Sequence, residues 1–169
     1  MDWEVSVVTK RDAAVRQLNQ AIRLFFRGGD LLSVHTLTGA AFQLLADLGK
    51  ASGIVSRFRS EELIRPERMK EWMQALNSTQ NFLKHATRDE DGTLKYVEEG
   101  TVLFLYEAVE LAGRLIAEGS REWLAFRVWF VFSFPELIEP RILEALRAAN
   151  TVRIDQTDRA LWAQWLGEA

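Results

Sequence analysis

The sequence predicts an all-α protein, an up-and-down helical bundle with a helical extension at its C-terminal end. Apolar side chains recur every three or four residues through most of the chain, and capping residues and glycines separate these stretches. No alternation of strand and helix patterns appears, so we expect no parallel sheet. With 48% hydrophobic residues in 169, one domain can bury its own core. We place the core bundle over about residues 10–134 and the extension over about 135–169.

Composition and motif content exclude several classes of function. The chain has no cysteine, which excludes disulfides and thiolate metal sites, and its net charge of −3 disfavours general binding to nucleic acid. It contains none of the usual nucleotide-binding or hydrolase motifs, so we expect no cofactor. No signal-peptide pattern appears, and the most apolar stretch, residues 123–134, is too short for a membrane span of about 20 residues. We therefore expect a cytoplasmic protein that does not enter a membrane.

The first two helices are predicted to form an antiparallel hairpin. Thr9 followed by Asp12 resembles a capping box, with Asp in place of Glu, and marks the first helix start. The glycine pair at 28–29 ends this helix. Asp30 then caps the second helix, and Gly49 is expected to stop it. The second helix also carries small residues where another helix can approach closely: Gly39, Ala40 and Ala41.

The remaining elements follow from capping residues and apolar spacing. After a loop over residues 51–60, Pro66 suits the first position of a third helix, whose apolar face includes Met69, Met73 and Leu83. A fourth helix is predicted over about residues 98–118. The fifth, about residues 121–134, begins after the cap Ser120. It is apolar nearly all round, so we expect it to be buried or at a subunit contact. A short helix then ends near Asn150, and Thr157 is expected to cap the last helix.

The candidate chemistry lies between Gln80 and Asp89. On a helix, Asn81 and His85 are one turn apart, and Lys84 lies beside them. Histidine transfers protons near neutral pH, and an amide or a cation can hold a phosphate. This pattern predicts metal-independent RNA cleavage with His85, Asn81 and Lys84 as catalytic residues. The alternative is that His85 only caps the end of its helix, where the dipole favours a cation.

The second histidine, His35, lies on a mostly apolar helix and is more typical of a hydrogen-bonded core residue. Alternatively, it meets His85 across packed helices and contributes to a ligand site with Arg88 and Asp89. His35, His85 and Asp89 together also offer ligands for a divalent cation. Residues 89–91 match no metal-binding motif, however, so we expect a solvated acidic loop and no metal.

Several segments resemble an uncharacterised family of bacterial helical proteins, over roughly residues 10–118. They are residues 21–26, 33–37, 40–41 and 81–86, followed by Arg88 and Asp89. No established activity follows from this resemblance.

The same layout is similar to the HEPN superfamily. This resemblance implies a small up-and-down bundle, commonly dimeric, and many members are RNases of toxin–antitoxin, abortive-infection and CRISPR systems. Their motif is Arg, then four to six residues, then His, often with Asn or another polar residue after the Arg. Asn81 and His85 match it, but Gln80 stands in place of the Arg. A neutral amide cannot stabilise phosphorane charge as a guanidinium does.

Two functions follow as hypotheses. The first is a non-catalytic module for binding a ligand or a protein partner or for dimerisation, as Gln80, the pI of about 5.5 and the aromatic helix suggest. The second is an RNase of a toxin or phage-defence system, in which His85 transfers a proton, Asn81 orients it and Lys84 supplies charge. We favour the first and expect a homodimer. RNA is a partner only under the second.

Overall fold

The computed structural model describes residues 1, 3–57, 66–85, 90–149 and 155–168, without the side chains of residues 72, 75 and 76. These residues form α-helices and contain no strand, which confirms the all-α prediction. The helices are α1 (Lys10–Phe26), α2 (Leu31–Ala51), α3 (Met69–Lys84), α4 (Glu98–Leu115), α5 (Arg121–Ser133), α6 (Pro140–Ala149) and α7 (Arg159–Leu166). Short 3-10 turns at Pro66–Arg68 and Pro135–Leu137 precede α3 and α6.

Four helices, α1, α2, α4 and α5, enclose the core, and α3 and α7 pack on its outside. α2 and α4 run parallel, since His35 contacts Thr101 at one end and Gly49 lies near Leu115 at the other. α5 lies antiparallel to α4, because Tyr106 meets Phe130 and Glu110 meets Arg127. The end of α3 packs on the first half of α2 through Gln80. The largest fully buried side chains include Phe25, Phe126 and Phe130, and each such side chain contributes about 1.5–3 kcal/mol through burial.

The predicted hairpin forms, with one correction. Thr9 and Asp12 make the reciprocal capping box, Gly28 takes the left-handed conformation after α1, and Asp30 accepts the N–H of Ser33 in the first turn of α2 at 2.7 Å. Gly49 does not stop α2, which continues to Ala51. It is buried within the helix, where a β-carbon would lie 2.3 Å from the carbonyl oxygen of Ile54. Close chain packing, and not helix termination, requires this glycine.

Three other predicted helix ends were wrong. α4 ends at Leu115, before residue 118, and α3 begins at Met69, because Pro66 starts a 3-10 turn instead. Thr157 does not cap α7: the side chain of Asp158 accepts the N–H of Ala160 at 2.8 Å. Thr157 instead donates its N–H and hydroxyl to Asp155. Two adjacent residues that both cap well made this end ambiguous in the sequence.

The aromatic helix α5 is buried inside the chain itself, which confirms one of the two alternatives expected for it. Phe25 of α1 meets Phe126 and Trp129 edge-on, with ring centroids 5.4 and 4.7 Å apart. Tyr106 of α4 stacks on Phe130 at 3.9 Å. α5 therefore buries most of its apolar surface against α1, α4 and α7.

The C-terminal extension joins the same core. Trp129 donates its indole N–H to the carbonyl oxygen of Thr157 at 3.0 Å, and Ala163 and Leu166 of α7 are buried. The guanidinium of Arg159 lies 3.9 Å over the ring of Phe25 and donates to the backbone carbonyl of that residue. These contacts tie α7 to the end of α1.

Among the residues that the structure describes, α2 is the helix long and apolar enough to cross a bilayer. The sequence had pointed to residues 123–134 as the most apolar stretch instead. Apolar core helices meet the same criteria, and in this fold α2 packs between α1 and α4.

Candidate functional site

A cleft lies where α3 crosses α2 beside α4, and we name it the α2–α3–α4 cleft. Its cavity has a volume of about 100 Å³. The lining residues are Gly39, Phe42 and Gln43 of α2, Asn77, Gln80, Asn81 and Lys84 of α3, and Phe104 of α4. Two of the predicted catalytic residues, Asn81 and Lys84, therefore line the same cavity.

Gln80 is the buried polar residue of the cleft, with 8% of its surface exposed. Its amide nitrogen donates to the backbone carbonyl of His35 at 2.9 Å. Gly39 makes room for it, because a β-carbon at that position would lie 1.7 Å from the amide nitrogen. The expected close approach of a helix to the small residues of α2 is thus confirmed. The carbonyl oxygen of Gln80 is buried without a hydrogen-bond partner in the described chain, a state that costs about 1–3 kcal/mol.

Asn81 and Lys84 form the exposed rim of the cleft. Lys84 occupies the last turn of α3, where the helix dipole favours a cation. Within the part of the chain that the structure describes, no acidic side chain forms an ion pair with Lys84. The lining residues that the structure describes include no carboxylate. The cleft therefore combines neutral amides inside with positive charge at its rim.

His85 lies just beyond α3 and does not line the cleft. Its backbone is extended, with φ −136° and ψ 106°, and its N–H donates to the carbonyl oxygen of Asn81 at 3.1 Å. The prediction that His85 shares a helical face with Asn81 was wrong, because the helix ends at Lys84. The side chain of His85 is exposed. Its position matches the alternative expectation of a residue that ends the helix.

His35 is a buried residue that faces α4. Its Nδ1 lies 2.9 Å from the hydroxyl of Thr101, which is 2.6 Å from the hydroxyl of Tyr96. Burial lowers the pKa of His35 from 6.5 to about 4, so the ring is neutral at physiological pH. Its ring lies 5.1 Å from that of Phe104. The core-residue interpretation of His35 therefore holds, and no contact joins this buried ring to the exposed His85 in the residues described.

The other predicted ligand-binding residues, Arg88 and Asp89, lie outside the described residues. In the described ranges, no three His, Cys, Asp or Glu side chains come together to hold a metal ion. The suggested metal group of His35, His85 and Asp89 gains no support from them, because one histidine is buried and the other exposed.

The sequence did not reveal two buried acids. Glu122 accepts two hydrogen bonds from Arg23, at 3.0 and 2.6 Å. Glu107 accepts from the hydroxyl of Ser56 at 2.7 Å and from the backbone N–H of Arg57 at 2.8 Å. Neither acid lines the cleft. The partners in these hydrogen bonds lie 50 or more residues away in the chain, so local spacing carries no signal for them. Both acids join distant segments of the fold.

Comparison with known proteins gives no relative from which a role for this cleft could be taken. No protein-family model, curated protein or solved structure matches the chain. The geometry of the cleft therefore carries the functional argument.

Proposed function

We propose that this protein is a non-catalytic binding module and that the α2–α3–α4 cleft is its ligand site. One observation carries the proposal: two aromatic side chains and four amides line one cavity beside the positive charge of Lys84. Concave sites with apolar walls and a few convergent polar groups are typical of small-ligand sites.

The test is a screen of small polar molecules by saturation-transfer NMR with three proteins. These are the wild type, Gly39→Ala, whose new methyl group displaces the amide of Gln80, and Gly100→Ala as the matched control. Gly100 lies in α4, and apart from its own helix turn nothing in the described chain lies within 4 Å of a β-carbon placed there. We expect ligands that bind the wild type and Gly100→Ala but not Gly39→Ala. Equal binding by all three proteins would exclude this cleft as the site.

The alternative that we propose is a metal-independent HEPN-type RNase. The observation in its favour is that Asn81 and Lys84 line one cleft and that His85 follows directly at an exposed position. Against it stands Gln80 in the place of the motif arginine, and His35 is too buried and too weakly basic to serve as a second proton-transfer group. RNA cleavage in the presence of EDTA by the wild type, lost in His85→Ala, would establish this alternative in place of the first.

We also propose that the protein forms a homodimer, as the HEPN resemblance implies. Exposed apolar side chains in the N-terminal segment support a protein contact: Trp3, Val5 and Val7 are 80%, 85% and 93% exposed. Light scattering at micromolar concentration should give twice the chain mass of 19.4 kDa. A mass of 19.4 kDa under those conditions would contradict the dimer.

A further inference from the structure

We infer that residues 3–8, which we name the arm, pair as an antiparallel strand with the same arm of a second copy of this chain. The inference rests on the homodimer proposed above and names the contact that forms it. Three features of the arm carry it: a strand-like sequence, backbone groups that pair with nothing in the described chain, and a register that is complementary to itself.

The arm has the residue pattern of a strand. Trp3, Val5 and Val7 alternate with polar residues, so an extended backbone places these three apolar side chains on one face. Aromatic and β-branched residues also favour extended structure. The capping box at Thr9 fixes the start of α1 and keeps the helix from continuing back into the arm. The arm is therefore suited to strand pairing and not to a longer first helix.

The body of the protein does not cover the arm. Every residue of the arm is exposed, and no backbone hydrogen bond joins the arm to another residue that the structure describes. The described part of the chain also contains no strand that could pair with it. An extended segment with free N–H and C=O groups is a template for pairing with another chain. The strand that pairs with the arm therefore comes from another molecule.

The arm of a second copy fits this one in a symmetric register. In an antiparallel pair centred on Val5, the two copies of Val5 face each other, Trp3 faces Val7 of the second copy, and Glu4 faces Ser6 of the second copy. Directly opposed side chains lie on the same face, so six apolar side chains form one continuous surface. On the other face, each carboxylate meets a hydroxyl and not a second carboxylate. This pairing leaves no like charges opposed.

The neighbouring symmetric registers fit less well. An axis at Glu4 opposes the two carboxylates directly, which destabilises a strand pair. An axis at Ser6 opposes Trp3 to Thr9, whose backbone N–H and hydroxyl already bond within the capping box of α1. The register centred on Val5 avoids both conflicts, and the residues that it pairs all belong to the arm. Because a two-stranded ribbon alone is only marginally stable, we expect this pairing to depend on protein concentration.

Disulfide trapping tests the pairing and its register, because the chain has no cysteine of its own. Val5→Cys places two thiols opposite each other, with β-carbons about 4.5–5.5 Å apart, so mild oxidation should give a covalent dimer. Val97→Cys changes an exposed valine at the start of α4 and is the matched control, which should cross-link far more slowly. Equal rates for these two variants would overturn the inference.

Two further cysteine variants fix the direction of the strands. In the antiparallel register, the two copies of residue 3 lie about 14 Å apart along the ribbon, so Trp3→Cys alone should not cross-link. A mixture of Trp3→Cys and Val7→Cys should cross-link, because residues 3 and 7 face each other. Efficient cross-linking of Trp3→Cys alone would overturn the antiparallel pairing.

Sedimentation equilibrium of lysine variants separates this inference from the homodimer itself. Val5→Lys opposes two like charges at the axis, so the dissociation constant of the dimer should rise about tenfold, whereas Val97→Lys should leave it unchanged. Both positions are exposed, so both variants should keep the helix content of the wild type in circular dichroism. If Val5→Lys dimerises like the wild type, the homodimer stands and the arm is rejected as its contact. A monomeric wild type would reject both.

Discussion

Gln80 lies directly against Gly39, and the absence of a side chain on the glycine lets the amide reach the backbone of α2. A β-carbon on Gly39 would come within 1.7 Å of the amide nitrogen of Gln80. The glycine therefore sets how closely α3 packs on α2. It also holds the buried acceptor of the cleft in place.

Gly39→Ala should change the cleft with little change in overall stability. The new methyl group displaces the end of a flexible side chain, which costs the hydrogen bond to His35, about 1 kcal/mol. Alanine in place of glycine within a helix stabilises the folded state by up to about 1 kcal/mol. Urea unfolding should therefore give a free energy within about 1 kcal/mol of the wild type. Gly100→Ala has the same gain in helix propensity but displaces no side chain. It should therefore be more stable than Gly39→Ala. A loss of several kcal/mol in the free energy of unfolding of Gly39→Ala would show that the backbone of α3 itself must move.

The burial of His35 should make the fold less stable in mild acid. Its pKa is lowered to about 4 in the native state from 6.5, so between these values the unfolded chain binds the proton and the native chain does not. Stability should fall as pH drops from 6.5 to 4, by about 2–3 kcal/mol in total, and this group should contribute no further change below pH 4.

Denaturant unfolding at a series of pH values checks this dependence. His35→Asn should flatten the slope between pH 6.5 and 4, because the asparagine does not titrate. His85→Asn changes the exposed histidine, so the contribution of His35 should persist in it. An unchanged slope in His35→Asn would place the origin of the dependence elsewhere.

The ion pair between Arg23 and Glu122 should stabilise the contact between α1 and α5. Burial by itself raises the pKa of Glu122, but hydrogen bonds, above all from Arg23, outweigh this effect and hold the pKa below its ordinary value of 4.5. The contribution is therefore present above pH 4.5 and is lost as pH falls through the lowered pKa. Glu122→Gln should lower the free energy of unfolding at pH 7 by about 1–3 kcal/mol.

Glu139→Gln is the control for this prediction. Glu139 pairs with Arg141 at 3.0 Å on the surface, and exposed pairs contribute about 0–1 kcal/mol. Thermal unfolding of the two variants at pH 7 should separate them clearly. Equal losses of stability in Glu122→Gln and Glu139→Gln would mean that burial does not strengthen the ion pair of Glu122.

Arg159 should hold the C-terminal extension on the core. Its guanidinium covers the ring of Phe25 and donates to the backbone there. Arg159→Met keeps an apolar side chain but removes both interactions, so we expect a loss of about 1–2 kcal/mol. Arg147→Met, at an exposed position of α6, should lose much less. Faster proteolysis of the α7 segment in Arg159→Met alone would support this assignment.

The sequence predicted the helices well because their signals are local. The capping box of Thr9 and Asp12 and the cap Ser120 each act within three residues of the helix start, so the residues themselves carry the information. The same reasoning failed at Gly49, where a glycine satisfies a packing contact inside a helix. A glycine in a sequence does not reveal which of these two roles it has.

The candidate site was only partly predictable for a related reason. Asn81 and Lys84 were selected, and they line one cleft, but His85 lies past the helix end. The buried acceptor on Gln80 depends on Gly39, which is 41 residues earlier in the sequence. Helix packing brings these two residues together, and no local pattern encodes that contact.

The most direct test of the central claim is a map of side-chain amide resonances in ¹⁵N-labelled protein during titration with a molecule found in the screen. If the α2–α3–α4 cleft is the ligand site, the amides of Gln43, Asn77, Gln80 and Asn81 shift together, and that of Gln164 on α7 does not. Shifts at Gln164 with none at Gln80 would contradict the account and place the ligand elsewhere on the molecule.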